Sequence, residues 1–175
     1  MTPSNEGEKL AKKLIVVLIL VIVLAVAAFA AYTLFIKENT AKSLQPSISS
    51  FPAGWERDDS YSVSKSNFLG TESYSRERFV VTGSDPLRFV VIAINVHPSN
   101  DKALESFNGD LAFFGPGTAF AVPGLANCFR SASGDLYFQQ GRVSGQFVIS
   151  LGTFISDPDI TNILTDIANN IAKKT

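Results

Sequence analysis

A chain with one histidine and one cysteine has few routes to chemistry, and each can be weighed by residue type and spacing. A zinc site of the ordinary kind needs a cluster of His and Cys ligands. His97 and Cys128 each stand alone, so neither a metal nor a cofactor is expected. His97 precedes Pro98 at the end of an apolar run, the setting of a surface or capping residue. Asp58-Asp59 and Asp157/Asp159 offer paired carboxylates for calcium, but no EF-type loop surrounds either pair. Ser62-Val63-Ser64-Lys65 fits S-x-x-K, in which a lysine one helical turn away activates a serine. The accompanying Ser-Asp-Asn and Lys-Thr-Gly elements are missing, and the segment reads as loop or strand. Gly115-Pro116-Gly117 lacks the third glycine and the strand-to-helix setting of a dinucleotide loop, so it reads as a turn. Arg76, Glu77 and Arg78, with Arg88 opposite on a hairpin, form either an anion-binding stripe or a solvated face with cross-strand charge pairing.

The most informative side chains outside these motifs are apolar. Leu111, Phe113, Phe114, Phe120 and Val122 are strung between Gly115-Pro116-Gly117 and Pro123-Gly124. The segment Leu111–Leu125 either covers one end of a sheet or presents a patch to a partner protein or a hydrophobic ligand. Phe113, Phe114 and Phe120 are the candidate contact residues. Cys128 reads as a buried, inert thiol in a strand.

The elements that must position these residues begin with Leu14–Ile36, 23 residues without a charge. As a helix this run is ~35 Å long, enough to cross a hydrocarbon core of ~30 Å. Lys9, Lys12 and Lys13 precede it and Lys37 and Lys42 follow, a bias that keeps the amino terminus cytoplasmic. The expectation is a cytoplasmic tail (1–13), a signal anchor (14–36) in the plasma membrane and an extracytoplasmic remainder. A cleaved secretory signal is the other reading, with Ala28-Phe29-Ala30 as its A-x-A site. Residues 37–53, with Pro46, Pro52 and several serines, read as a flexible linker. Beyond the anchor and tail remain 12 basic and 14 acidic residues, near −2. Without a basic surplus, nucleic acid is not expected as a partner.

Residues 54–175 then carry a folded domain. Trp55 opens a short strand, and 58–72 reads as a long polar loop, with or without a short strand near Tyr61–Val63. Tyr74–Thr82 alternates, and Leu87–His97 is almost wholly apolar, as a strand covered on both faces is. Gly83-Ser84-Asp85-Pro86 joins the two as a hairpin turn. Ser99 caps a short helix ended by Asn108-Gly109. Three strands follow, near 127–132, 136–140 and 142–151. Ile160, Ile163, Leu164, Ile167, Ala168 and Ile171 then form the buried stripe of a final helix. The fold expected is α+β, ββα followed by βββα, an antiparallel sheet of five or six strands with two helices on one side.

Gly109-Asp110, Leu136-Tyr137-Phe138-Gln139-Gln140-Gly141, the strand 146–151 and the final helix recur together in this order. Residues 54–174 thereby resemble the small exported α+β domains of bacterial membrane-anchored and lipoprotein families, some with a PsbP-like sandwich. The resemblance implies an accessory role outside the membrane and carries no functional residue with it. Three functions are compatible with the sequence: a non-enzymatic, membrane-tethered module that binds a protein; a carrier or sensor of a small apolar ligand, with Leu111–Leu125 as its lid; and an exported hydrolase using Ser62 and Lys65. The lipid bilayer is the partner expected of residues 14–36.

Overall fold

A computed structural model describes residues 5–83, 88–115 and 117–174; within the first helix, side chains are described over 14–29 and from Thr40 onward. The chain divides into two compact units, residues 1–36 and 37–175. The expected turn residues Ser84, Asp85 and Pro86, and Pro116, lie outside the described residues.

The first helix, α1, runs from Asn5 to Ser43. Over 14–29 its large side chains are all exposed, from Leu14 at 64% to Phe29 at 69%. Those 16 positions amount to ~24 Å of helix. Among the described residues no helix is long and apolar enough to cross a membrane.

The second unit is built on a seven-stranded antiparallel sheet of order β1-β2-β3-β7-β6-β5-β4. The strands are β1 (Trp55–Ser66), β2 (Ser73–Val81), β3 (Phe89–Val96), β4 (Thr118–Ala119), β5 (Asn127–Arg130), β6 (Leu136–Gln140) and β7 (Val143–Ile149). Helix α2 (Asn100–Phe114) follows β3, and α3 (Asp157–Lys174) closes the chain. The α+β class holds, with seven strands in place of five or six. The difference comes from β1, which absorbs most of the expected loop, and from the two-residue β4. Strand β1 tolerates its polar sequence because it is an edge strand, bulged between Asp58 and Val63.

Cross-strand partners share a face. One face carries Phe79, Val90, Ile92, Phe147, Leu136 and Phe138, joined in one core with the stripe of α3. All six expected α3 positions are buried. Ser156 caps that helix by accepting from the Asp159 N–H at 3.4 Å, and Asp157 and Asp159 lie in its first turn, where the helix dipole favours them. The other face carries Tyr137 and Phe129, on which Phe107 and Leu111 of α2 pack. The two helices therefore cover opposite faces, not one side. Helix α2 also continues five residues past Gly109, because Phe107, Leu111 and Phe114 keep meeting the aromatic pair beneath them. It stops at Gly115, whose φ of 82° suits glycine.

The expected linker is the clearest correction. From Thr40 onward it is docked on the α3 face: Ala41 and Leu44 are fully buried and Phe51 is nearly so. The Ala41 N–H donates to Ser73 Oγ at 3.0 Å. Gln45 Nε2 lies 3.2 Å from the Ile92 carbonyl and 3.3 Å from that of Ser75, and Phe51 stacks on Phe79 with ring centroids 4.3 Å apart. Strand β2 turns Ser73, Ser75 and Glu77 inward beside Phe79, and this segment is what covers them. Its prolines and serines break regular structure without preventing burial.

Candidate functional site

Helix α2 starts at the Val96 end of the sheet and finishes at the Leu136 end, where its last turn becomes aromatic. Phe114 stacks on Tyr137 at 4.8 Å, Tyr137 on Phe129 at 5.0 Å, and Phe107 meets Phe129 edge-on at 5.4 Å. Phe113 packs edge-on against Phe114 at 4.8 Å and is otherwise in solvent, 82% exposed. Three of these rings are buried, so the outer two sit on a fixed base. The loop after β7 emerges at the same end of the sheet and exposes Leu151 (96%) and Phe154 (89%). Four large apolar side chains, two at the end of α2 and two after β7, are thus exposed toward the end of the sheet opposite the one where Ala41 docks beside Ser73.

Phe120 does not join them. It packs against the α3-side core, and the Arg130 guanidinium lies 4.6 Å from its ring centroid. The expected segment Leu111–Leu125 is therefore three things: the end of α2, the short β4, and a strap on the opposite face in which Val122 is buried. Along this strap runs a groove of about 710 Å³, open to solvent, lined by Phe120, Val122, Leu125 and Cys128. Burial pushes the Cys128 thiol up to about 12, which leaves it protonated and unreactive at neutral pH. Leu151 and Phe154 were not singled out by sequence: one apolar residue in a loop carries no periodic signal, and only exposure marks it.

The other candidates resolve by the same geometry. Ser62 and Lys65 lie three residues apart on β1, so their side chains leave opposite faces and cannot form an activating pair. Lys65 instead lies over the Phe68 ring at 4.7 Å. Arg76 and Arg78 share a face and flank the Tyr61 ring at 4.9 and 4.5 Å, while Glu77 points the other way. Arg78 also pairs with Asp58. The Ser60 hydroxyl and then Arg78 hold the Asp58 carboxyl below its usual range.

Glu77 is buried at 1% exposure with Arg57 Nε 3.0 Å from one oxygen. Neither of its oxygens accepts a hydrogen bond among the described residues, and desolvation raises its pKa despite Arg57. His97 is buried too, not a surface residue: its Nε2 lies 2.8 Å from Ser144 Oγ, which reaches Ser106 Oγ at 3.5 Å. Burial lowers the imidazole pKa, so the ring is neutral and ties β3, β7 and α2 together. Among the described residues no group of three His, Cys, Asp or Glu is placed to hold a metal ion.

Comparison with protein-family models, curated proteins and solved structures finds no match. The functional reading rests on the site.

Proposed function

We propose that this is a single-pass plasma-membrane protein, anchored by Leu14–Ile36 with its amino terminus in the cytoplasm, whose extracytoplasmic domain binds a protein partner and is not an enzyme. One observation carries the reading: Phe113 is 82% exposed at the end of an otherwise buried aromatic stack. A rigid ring loses little entropy on binding, and a cluster of such residues is the usual energetic centre of an interface. Phe114, Leu151 and Phe154 add exposed apolar surface toward the same end of the sheet. An accessory role outside the membrane is also what the likeness to small exported PsbP-like domains implies.

The test is a photo-crosslinking residue at position 113 of the full-length protein in its native membrane. A discrete protein adduct that disappears with Leu151→Ser and Phe154→Ser is expected; an adduct indifferent to both, or none, overturns the reading. The topology has its own readout. Protease added outside should digest the domain, and protection in cells whose outer barrier is breached would reverse the orientation. A second reading, capture of a small apolar ligand, has the open groove of about 710 Å³ along the 119–128 strap in its favour. Saturable uptake of a fluorescent fatty acid, lost with Phe120→Asp, would select it.

A further inference from the structure

Helix α2 lies over β6 and β7 and leaves the β2–β3 part of the same face to a hollow of about 310 Å³. Register explains it. One row of cross-strand neighbours is Tyr74, Asn95 and Ser144, and the next is Arg76, Ala93 and Gln146. The small Ala93 gives depth, and Arg76 turns away onto the Tyr61 ring at 4.9 Å. Phe68 and Leu69, from the β1–β2 turn, wall the hollow, with the Phe68 ring 5.0 Å from that of Tyr74.

Among the described residues no charged side chain lines it. Charges of both signs stand outside: Lys65 lies over the Phe68 ring, and Asp110 is one helical turn beyond the lining Ser106. His97, also in the lining, is neutral and bonded to Ser144. The groups left without a partner are neutral as well. The Tyr74 hydroxyl and the carboxamides of Asn95 and Gln146 border the hollow and make no hydrogen bond to another described residue. Desolvation raises the Tyr74 pKa, so the phenol keeps its proton. All three groups can both donate and accept. They come from three strands and from two rows ~7 Å apart, so they stand around the hollow rather than along one edge. A planar base carries its donors and acceptors on an edge and stacks in a slot. Here Phe68 and Tyr74 lie against each other, tilted by 34°, and offer a wall instead. A ring with hydroxyls around its rim and C–H groups on its face matches both features.

We propose that this hollow is a binding site for a neutral sugar ring, a hexopyranose. The Asn95 and Gln146 carboxamides and the Tyr74 hydroxyl hydrogen-bond its hydroxyls, and Phe68 takes its C–H face. About 310 Å³ is near the lower limit of ligand pockets, which restricts the enclosed part of the ligand to about one ring. The site lies at the end of the sheet away from Phe113 and is independent of any partner bound there.

Full-length protein in micelles of dodecylphosphocholine, a detergent without a sugar, is followed by amide NMR. The methyl glycosides of glucose, galactose, mannose and N-acetylglucosamine are added in turn. At least one is expected to give saturable shifts at Ala93, Asn95 and Gln146, with a dissociation constant on the order of 1 mM for a ligand of this size. Gln146→Leu should weaken that binding about five- to tenfold, because a sugar hydroxyl loses its partner. Should Gln146→Leu fail to fold, Tyr74→Phe carries the same expectation, since it keeps the ring against Phe68 and deletes only the hydroxyl. Glucuronate and uracil are the counter-probes, and each should bind more weakly than the best neutral glycoside. No saturable shift at those three amides with any glycoside, tighter binding of glucuronate or uracil, or an affinity unchanged in the folded variant overturns the proposal.

Discussion

Leu44→Ala separates a docked segment from a flexible tether. Leu44 is fully buried in the main core. Truncation to alanine removes three carbons, about 2.4 kcal/mol at ~0.8 kcal/mol each. The unfilled cavity brings the cost to about 3–5 kcal/mol, since the docked strand and helix can close only part of it. In a solvated tether the same change is worth less than about 0.5 kcal/mol. The assay is urea unfolding of the full-length protein in micelles, read by the fluorescence of Trp55, whose ring lies 5.5 Å from that of the docked Phe51. Ile48→Ala serves as the internal control: it is in the same segment but 41% exposed, and should cost about 1.5 kcal/mol or less. In heat the Leu44 variant should melt about 10 °C lower. A midpoint for Leu44→Ala indistinguishable from wild type, or from Ile48→Ala, would refute the docking and restore the tether.

Glu77→Gln should stabilise the domain at neutral pH by about 1 kcal/mol, because it removes a buried carboxylate that a partly exposed Arg57 and Lys42 compensate only in part. The native Glu77 pKa is raised from the ordinary value of 4.5, so its protonated form favours folding. That contribution is complete below about 4.5 and is lost as the pH rises through the raised value. The advantage of the glutamine variant should therefore grow as the pH rises from about 4.5 to the raised value and level off above it; a pH-independent difference in thermal scans would contradict this. Gly145→Ala places a Cβ 2.3 Å from the Phe138 ring and 2.7 Å from the Ala93 carbonyl, and should cost about 1–3 kcal/mol. Phe138→Leu in the same chain should recover only part of it, because the Ala93 obstacle is backbone; full recovery in a denaturant titration would show the ring to be the sole clash. With its thiol at about 12, Cys128 should react with iodoacetamide at pH 8 more than about a hundredfold slower than in the urea-unfolded protein. Equal rates by mass spectrometry would mean that the strap is open.

Much of the architecture is written in local pattern. The α3 stripe and the apolar β3 each follow from a period or a run of residue types, and both recur in the fold as expected. The bounds of α2 do not, because Asn108-Gly109 is a stop signal only where nothing beyond it packs, and here Leu111 and Phe114 continue to find Phe129 and Tyr137. The extent of strand β1, beyond Trp55 and Tyr61–Val63, was hidden for the opposite reason: an exposed edge strand has no apolar alternation to display. Of the site, Phe113 and Phe114 were visible as aromatic residues out of register with a core, whereas Phe120 belonged to another face and Leu151 and Phe154 had no pattern at all.

The sequence by itself determined an uncharged apolar run at Leu14–Ile36, an α+β domain after it, and the isolation of His97 and Cys128 from any partner of their own type. These follow from composition and short-range spacing, which need no knowledge of what packs on what. Tertiary structure decided the rest. It set α2 and α3 on opposite faces and folded 40–53 over the inward serines of β2. It also gathered Tyr74, Asn95 and Gln146, from three strands, around one hollow. Such juxtapositions depend on strand register and on which face each neighbour covers, and register is a property of pairs of segments that no single stretch of sequence carries.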